Sequence, residues 1–350
     1  MRREKTTTYS DIAQYTNLSK MTISRYFNQP DTLADETKEK IEQALRELNY
    51  SENKFAKALA SGKSGIIGII TPTFFYNFYT SLIDTFIRNY PKSSYKFLVF
   101  TSDSSPELER RYIAELLSYR IEGLVVLSHT LPSKELSQYP FPVVGIERES
   151  EYISSVDTDN AWGTRQAVNQ LLKDQCEALV HINLPTDRSL PAYARIRVFE
   201  EMAYKAGVPY KCFFVADQPD NQTVGLQQNF LEICSSILKL FPGQRIGIFI
   251  SNDTMAALFL NCALLSGIKV PEQFEIIGFD NSPISEQSIF PISTVGQNVN
   301  RMVSQTIQLI DQQLNEKKKN PDAGFPPKHL VIRPRLILRG TTLNQKKQNN

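Results

Sequence analysis

Residues 8–28 read TYSDIAQYTNLSKMTISRYFN and predict two short helices joined by a tight turn. Thr8 and Asp11 have the form of a capping box, a hydroxyl at the helix start followed three residues later by an acid. We expect the first helix to end near Asn17, a residue type that tolerates left-handed backbone, and Ser19 to cap a second helix over residues 20–28. Such spacing is typical of a helix-turn-helix unit.

The helical pattern continues for one more helix and then gives way to a linker. An apolar stripe at the helical period predicts a third helix over residues 35–48, with Ile41, Ala44, Leu45 and Leu48 buried. Residues 53–60 favour a further helix that is too short to be stable alone, and SGKSG at 61–65 is typical of a linker. We therefore predict a helix-turn-helix unit at 1–50, a short helix with its linker at 51–63, and a second domain at 64–341.

From residue 66 onward, strands alternate with helices, a pattern typical of parallel sheets that are buried on both faces. Amphipathic helices are predicted at 107–119, 161–173 and 254–266. About 280 residues of this pattern is large for one sheet, so we expect two α/β lobes. We also expect a loop at 315–328 and a disordered polar tail at 342–350. The candidate strands lie at 66–71, 96–101, 123–127, 143–146, 178–183, 212–215, 245–250 and 275–279.

The composition excludes several classes of protein. The chain of 350 residues has a net charge of +2, although both ends are locally basic, and no apolar run approaches the roughly 20 residues of a membrane helix. No apolar segment follows the first charged residues, so we expect no signal peptide and a cytoplasmic location. The spacing of the cysteines and histidines fits neither a zinc site nor a disulfide framework, and we expect no metal: Cys176, Cys212, Cys234, Cys262, His129, His181 and His329.

No motif supports catalysis. The string GKS at 62–64 resembles the end of a phosphate-binding loop, but Lys57 stands where that loop needs glycine, and the string precedes a strand instead of following one. The sequence has no G-x-S-x-G elbow, no H-E-x-x-H and no dinucleotide-binding glycine fingerprint. We therefore expect neither enzymatic activity nor a cofactor, and an enzyme acting on a sugar is the least favoured alternative.

Aromatic, amide and carboxylate side chains follow five of the predicted strands. In open α/β sheets, ligands bind beyond the carboxyl ends of the strands, where these side chains would meet. Flat rings beside bidentate acceptors suit a ligand that carries several hydroxyl groups. Any one of the acidic residues can instead cap the helix that follows it, and that alternative stays open. The candidates are Phe74, Phe75, Phe78, Tyr79, Ser128, His129, Glu147, Ser251, Asn252, Asp253 and Asp280.

The second helix offers another kind of site. Lys20, Met21 and Arg25 fall on the side opposite Ile23 and Phe27, which predicts that they are exposed. Basic side chains on such a face can reach guanine edges in a DNA major groove, and methionine can contact a thymine methyl group. A charged stripe also occurs on helices that are simply solvated, and charge alone does not decide between the two.

Several short motifs along the chain occur in a combination that characterises one family. The first are TYSDIA at 8–13, LSKMTISR at 18–25, Asn28 and ELNY at 47–50. Others follow in the second domain: Asp159-Asn160-x-x-Gly163, Arg195-x-x-x-Phe199, Asn252-Asp253-x-Met255-Ala256 and Ile277-Gly278-Phe279-Asp280. With these motifs the chain resembles the lactose-repressor/galactose-repressor family over residues 7–341. The resemblance implies a transcriptional regulator with a two-lobed core like that of the periplasmic binding proteins, made of two doubly wound parallel sheets.

The resemblance also implies where an effector binds. One lobe would hold about 64–160 and 291–325 and the other about 161–290 and 326–341, connected by three crossings, with a small sugar or sugar phosphate bound between them. Arg195, Asn252 and Asp280 stand where the family holds effector hydroxyls, and Phe78 and Tyr79 where it places contact side chains. Glu147 stands where many members have aspartate, which makes its role a weaker inference.

On DNA, the resemblance implies a homodimer whose two helix-turn-helix units read a pseudo-palindromic operator. Lys20, Met21 and Arg25 would read bases, whereas the other residues of the first helices would mainly position the DNA backbone. The segment at 51–63 would form a hinge helix that inserts Leu59 into the minor groove. The implied DNA-contacting residues are Thr8, Tyr9, Ser19, Lys20, Met21, Thr22, Ser24, Arg25, Asn28, Asn53, Ala56 and Leu59.

The sequence departs from the family pattern at a few positions. Glu52 replaces the usual proline before the hinge, Ala34 replaces a small helix cap, and Val198 replaces a common glycine after Arg195. No leucine heptads follow residue 341, which favours a dimer over a tetramer. Some members of the family are governed instead by a phosphorylated phosphocarrier protein, and that alternative to a sugar effector stays open.

Overall fold

The computed structural model describes residues 7–50, 64–89, 95–215, 222–322 and 324–343. The chain divides into two compact units between Ser64 and Gly65, and each is described by itself. Among the described residues, no helix is both long enough and apolar enough to span a membrane. The predicted hinge residues Asn53, Ala56 and Leu59, and the departure at Glu52, lie outside the described residues.

The first unit is a three-helix domain, with α1 at Tyr9–Thr16, α2 at Lys20–Asn28 and α3 at Asp35–Glu47. A 3₁₀ turn at Pro30–Thr32 separates the last two helices. Both predicted N-caps form, and Asn17 ends α1 with a left-handed φ of 52°. The helices bury a small apolar core, so the predicted helix-turn-helix unit is confirmed: Ile12, Ala13, Ile23, Ile41 and Ala44.

The capping box at the start of α1 is complete. The Thr8 hydroxyl donates to Asp11 Oδ2 at 2.6 Å, and the Thr8 amide donates to the same oxygen at 2.8 Å. Loss of such a cap costs about 1 kcal/mol, so Thr8→Ala is expected to lower the free energy of unfolding of this unit by that amount. Thermal unfolding followed by circular dichroism measures the loss. The matched control, Ser10→Ala, changes an exposed hydroxyl of α1, and equal stability of the two variants would contradict the capping role.

The second unit contains two six-stranded sheets. Its strands are β1 Ile66–Thr71, β2 Lys96–Thr101, β3 Gly123–Val126, β4 Val143–Ile146, β5 Ser154–Thr158, β6 Ala178–Asn183, β7 Tyr210–Phe214, β8 Ile246–Ile250, β9 Phe274–Asp280, β10 Ser293–Gly296, β11 His329–Ile332 and β12 Arg335–Ile337. Its helices are α4 Asn77–Arg88, α5 Pro106–Ser118, α6 Ser133–Leu136, α7 Asn160–Lys173, α8 Tyr193–Ala206, α9 Gln222–Leu240, α10 Asp253–Leu265, α11 Pro283–Gln287 and α12 Val299–Lys319.

The first sheet has the order β11-β5-β4-β3-β1-β2 and the second the order β12-β10-β9-β8-β6-β7. All pairs are parallel except that of β10 with β12. Apolar clusters cover both faces of each sheet, because successive side chains of a strand point to opposite faces. The predicted pair of doubly wound parallel sheets is therefore confirmed.

The predicted division of the chain between the two lobes is wrong near the C-terminus. β10 falls within the predicted first lobe, yet it pairs with β9 in the second sheet. β11 falls within the predicted second lobe, yet it pairs with β5 in the first sheet. The crossings therefore follow β5, β10 and β11. β10 reads STVG, which has too few apolar residues to predict a strand, and its place depends on a distant partner.

Two further predictions near the C-terminus need correction. The predicted loop at 315–328 begins too early, because α12 continues to Lys319, where three lysines in its last turn face the negative end of the helix dipole. The predicted tail at 342–350 begins later than expected. Thr342 is buried, and its hydroxyl lies 2.8 Å from that of Ser293. Residues 344–350 lie outside the described part of the chain.

Candidate functional site

A cavity of about 410 Å³ lies at the carboxyl ends of the strands of both sheets in the second unit. All six residues predicted to bind an effector line it: Phe78, Tyr79, Glu147, Arg195, Asn252 and Asp280. Other residues, which were not predicted from the sequence, complete the lining, among them Pro72, Thr73, Tyr76, Ser104, Asn183, Leu184, Pro185, Thr186, Leu190, Ala192 and Gln297. This volume falls within the usual range for small-molecule sites.

Arg195 on α8 is the centre of a buried polar network. Its Nε donates to Asn160 Oδ1 at 2.7 Å and one terminal nitrogen donates to the Ser251 carbonyl at 2.5 Å. The other terminal nitrogen lies 3.6 Å from Glu147 Oε2, and the guanidinium carbon lies 3.7 Å from the centre of the Phe279 ring. Glu147 follows the first sheet and Arg195 belongs to the second lobe, so this ion pair connects the two.

Glu147 adopts a left-handed backbone conformation with φ of 54°. Its carboxylate accepts from Asn160 Nδ2 at 2.9 Å and from the Thr158 amide, while its own amide donates to Asp157 Oδ1 at 2.9 Å. The Glu147 carboxylate is therefore largely engaged by the protein itself. Burial, and then the charge of Glu147, raise the pKa of Asp157 to about 7.

This raised pKa predicts a pH-dependent contribution to stability. The folded protein holds the Asp157 proton more tightly than the unfolded chain, so raising the pH from about 4 to about 7 destabilises the fold through this group. The Asp157→Asn variant has no ionisable group at this position. Between these two pH values, its free energy of unfolding relative to that of wild type should therefore rise by about 2–4 kcal/mol. Urea denaturation at pH 4 and pH 8 measures the difference. The control is Asp103→Asn, which changes an exposed aspartate. If the stability difference between Asp157→Asn and wild type is the same at both pH values, the prediction is wrong.

Asp280 ends β9 with a φ of 113°, in the region that strains any residue except glycine. One carboxylate oxygen accepts from Gln297 Nε2 at 2.7 Å, and the other has no hydrogen-bond partner among the described residues. Burial and the nearby charge of Asp253 raise the pKa of Asp280 well above its usual value, although Arg195 acts in the opposite direction. A carboxyl group with an open oxygen in a buried cavity can bind a hydroxyl group of a ligand.

Not every strand-end residue reaches the cavity. Asp253 is wholly buried outside it, where its carboxylate accepts from the Ser282 amide at 2.8 Å and from the Thr294 hydroxyl at 2.7 Å. Asn252 lines the cavity, but its Oδ1 also caps α10 by accepting from the Met255 amide. An amide therefore makes this cap, rather than one of the acidic residues for which capping was the alternative. Three other candidates lie outside the cavity: Phe74, which is exposed, Phe75, which packs on the apolar core of the second sheet, and buried Ser128.

An aromatic wall forms one side of the cavity. The ring centres of Phe78 and Tyr79 lie 5.7 Å apart, and those of Tyr76 and Tyr79 lie 6.5 Å apart. His129 also lines the cavity, where its side chain is exposed. Two carboxyl groups, those of Glu147 and Asp280, and one guanidinium, that of Arg195, also line the cavity.

The start of α4 touches the second lobe beside the cavity. The Asn77 amide donates to the Thr254 hydroxyl at 3.0 Å and the Asn77 side chain donates to the same oxygen at 3.1 Å. Tyr76 is buried in the apolar cluster of the second sheet, although it follows β1 of the first. The two lobes are thus in direct contact at the rim of the cavity.

In the first unit, the predicted base-reading residues share the exposed side of α2. Lys20, Met21 and Arg25 are exposed, and neither basic residue forms an ion pair with a residue that the structure describes. Ile23 on the opposite side is wholly buried. An exposed basic surface without ion pairs to the described residues is available to bind phosphates or base edges.

The remaining predicted DNA-contacting residues of this unit also have structural roles. The hydroxyls of Thr8 and Ser19 accept from helix amides, and Tyr9 stacks on Phe27 with ring centres 5.1 Å apart. The Asn28 side chain donates to the Ser24 carbonyl at 2.9 Å. Thr22 is half-buried, and its hydroxyl lies 2.9 Å from that of Ser19. Contacts of these residues with DNA stay predictions.

Comparison with known proteins gives matches to both units. A model of the bacterial regulatory proteins of the lacI family matches residues 8–53, and a model of a periplasmic binding protein-like domain matches residues 168–342. The ribose operon repressor of Halalkalibacterium halodurans is 28% identical over 331 residues, which cover 93% of this chain and 96% of that protein. Catabolite control protein A of Staphylococcus aureus is 25% identical over 345 residues, which cover 96% of this chain and 99% of that protein.

The fold is similar to that of a solved repressor. The crystal structure of the Lac repressor dimer bound to operator and the anti-inducer ONPF matches 97% of this chain and 100% of that chain, with a TM-score of 0.77 and 21% identity. At this identity the similarity is evidence for the fold alone. It covers both the helix-turn-helix unit and the two-sheet core.

Proposed function

The chain belongs to the lacI family of bacterial regulatory proteins, and from this premise we propose that it represses carbohydrate-utilisation genes under the control of a small sugar. The observation that carries the proposal is the combination, in one chain, of a helix-turn-helix unit with a cavity that pairs aromatic rings with buried carboxylates. A ribose operon repressor and a sucrose operon repressor are among its relatives, and the chain is a regulatory protein rather than an enzyme.

The cavity lining supports an uncharged sugar over a sugar phosphate. Two carboxyl groups, Glu147 and Asp280, face it with one guanidinium, that of Arg195, which is already bonded to the protein. A phosphate dianion would lie near these carboxylates without a free cation to offset them, whereas hydroxyl groups can donate to carboxylate oxygens. The rings of Tyr76, Phe78 and Tyr79 offer flat surfaces for the C–H faces of a sugar.

We propose that the sugar acts through the closure of the two lobes. The Glu147–Arg195 ion pair and the Asn77–Thr254 hydrogen bonds connect the two lobes. A ligand that contacts both lobes stabilises one of their arrangements, and it changes operator affinity only by its differential affinity for the two. The expected site residues are the six that line the cavity, with Asn160 and Gln297 as positioning residues.

A homodimer acting in the cytoplasm is part of the proposal. Large apolar side chains are exposed on helices of the second lobe that pack against one another, α9, α10 and the segment after α11: Val224, Leu231, Leu265, Ile289 and Phe290. An exposed apolar surface of this kind favours association with a second copy. Two copies would present two α2 helices to successive major grooves of a pseudo-palindromic operator.

Calorimetric titration of the full chain with uncharged sugars tests the proposal, with ribose first because the H. halodurans relative is a ribose operon repressor. We expect one sugar to bind with saturation and its phosphate ester to bind at least about tenfold more weakly, the equivalent of 1.4 kcal/mol. Absence of binding by every sugar of a broad panel would contradict the sugar effector.

Control by a phosphorylated phosphocarrier protein is the second candidate, favoured by the similarity to catabolite control protein A. It predicts that the phosphorylated carrier binds the full chain and raises operator affinity without a sugar. The unphosphorylated carrier is the control. If neither form binds, this candidate is excluded.

A further inference from the structure

A second groove, of about 670 Å³, lies where the chain passes between the two sheets. Its walls come from α4, from the segment that follows β9, and from the crossings that follow β10 and β11. Gln297 is the one residue it shares with the cavity described above. The lining is mostly polar: Ser81, Asp84, Thr85, Asn281, Pro283, Gly296, Gln297, Asn298, Val299, Asn300, Arg333, Arg335 and Ile337.

The groove carries an excess of positive charge. Arg333 and Arg335 are exposed, and neither forms an ion pair with a residue in the described part of the chain. The one carboxylate of the lining, Asp84, is already paired with Arg88 at 2.7 Å. Planar guanidinium groups that form no ion pair are suited to bidentate binding of phosphate oxygens.

Two asparagine side chains of the lining accept hydrogen bonds from the protein through their amide oxygens. Asn281 Oδ1 accepts from Arg339 at 2.6 Å, and Asn298 Oδ1 accepts from the Arg301 amide at 3.1 Å. Each of these side chains still has its NH₂ group to donate to a ligand. The 21-residue helix α12 also begins in the groove at Val299, which adds the positive end of its dipole.

We propose that this groove is a second ligand site, which binds a small phosphate-bearing metabolite through Arg333 and Arg335. The cavity between the lobes, by contrast, offers carboxylates and suits an uncharged ligand. The inference does not rest on the sugar effector, because it uses a different set of residues. Failure to find a phosphate ligand here would leave the regulatory function unchanged.

The chain provides its own reporter for this site. Trp162 is the single tryptophan of the sequence, and the guanidinium carbon of Arg333 lies 4.9 Å from the centre of its ring. An anion that binds Arg333 changes the field at the indole, so tryptophan emission follows binding directly. Inorganic phosphate is titrated into the full chain at constant ionic strength, maintained with sodium chloride. We expect a saturable change in emission, whereas sodium chloride alone should give none.

Variants of the arginines locate the response. Arg335→Gln, which leaves the Arg333–Trp162 pair in place, should raise the half-saturating phosphate concentration about tenfold or more, because it removes hydrogen bonds to a charged ligand. Arg197→Gln is the matched control, since it removes an exposed arginine of α8 that is paired with Glu201 elsewhere. It should titrate like wild type.

A second measurement keeps the test independent of the indole. The wild-type protein should broaden the ³¹P resonance of phosphate, and the Arg333→Gln variant should not. Circular dichroism checks that this variant is folded. A wild-type titration indistinguishable from that with chloride would overturn the proposal. So would an Arg335→Gln protein that binds phosphate as tightly as wild type.

Discussion

Arg195→Ala is expected to abolish the response of operator binding to sugar while leaving the operator affinity of the sugar-free protein within about twofold of wild type. Arg195 is the one arginine among the cavity-lining residues. It donates hydrogen bonds to Asn160 and Ser251 and forms an ion pair with Glu147. Without it, the Glu147 carboxylate loses its buried partner, and the two lobes lose the ion pair that connects them. Breaking a buried ion pair costs about 3–5 kcal/mol, which is large against the affinity of a sugar.

Fluorescence anisotropy of a labelled operator, with sugar titrated into the complex, measures this prediction. Arg197→Ala is the matched control because it lies two residues away on the same helix, exposed to solvent, and should respond like wild type. Arg195→Lys keeps the charge without the planar fork and should recover only part of the response. If operator affinity collapses together with the sugar response in Arg195→Ala, then Arg195 has a structural role and the site assignment is wrong.

Arg25→Ala is expected to weaken operator binding by about 30-fold or more. A bidentate contact to a base contributes about 1–3 kcal/mol, and a symmetric dimer would lose two such contacts, or at least about 2 kcal/mol. Arg25 is exposed on α2 and forms no ion pair with a described residue, so its removal should cost the fold little. The loss should be largest for the cognate operator, because a contact to a base edge distinguishes sequences.

Anisotropy with the cognate duplex and with a scrambled duplex separates base readout from general charge. Arg46→Ala removes an exposed arginine from the last turn of α3 in the same unit and is the control for lost charge. It should weaken both duplexes slightly and equally. If Arg25→Ala weakens both duplexes by the same factor, then Arg25 contacts phosphates and the base-reading role is wrong.

The helix-turn-helix unit could be predicted from sequence because its signals are local. Thr8 and Asp11 are three residues apart, and the cap they form needs no distant partner. The apolar strands such as β1 and β8 were predicted for the same reason, since each is a continuous run of buried residues. Local hydrogen bonds and local periodicity are visible without a fold.

The parts of the fold that were missed depend on partners far along the chain. β5 and β10 read SSVDT and STVG, and each becomes a strand by pairing with its neighbours in a sheet. The lobe assignments of β10 and β11 were wrong for that reason. A short stretch of sequence around β10 or β11 does not contain the strand with which it pairs.

The residues of the candidate cavity were likewise predicted only in part. The strand-end rule found Glu147, Asn252 and Asp280 because the carboxyl ends of parallel strands meet at one edge. It missed Gln297, whose side chain contacts Thr158 139 residues earlier in the sequence, and Tyr76, which crosses to the apolar core of the second lobe. The rule also did not distinguish Asp253 from its neighbour Asn252. The Asp253 carboxylate accepts hydrogen bonds inside the second lobe, whereas Asn252 lines the cavity.

The central claim is that this chain is a DNA-binding regulator controlled by a sugar. It is tested most directly by selecting operators for the full chain from random duplexes and titrating the selected duplex with sugars at fixed salt. The account predicts enrichment of a pseudo-palindrome with a deformable central step, and an anisotropy change when one uncharged sugar is added. Salt-sensitive binding without an enriched sequence, or an operator complex that no sugar alters, would contradict it.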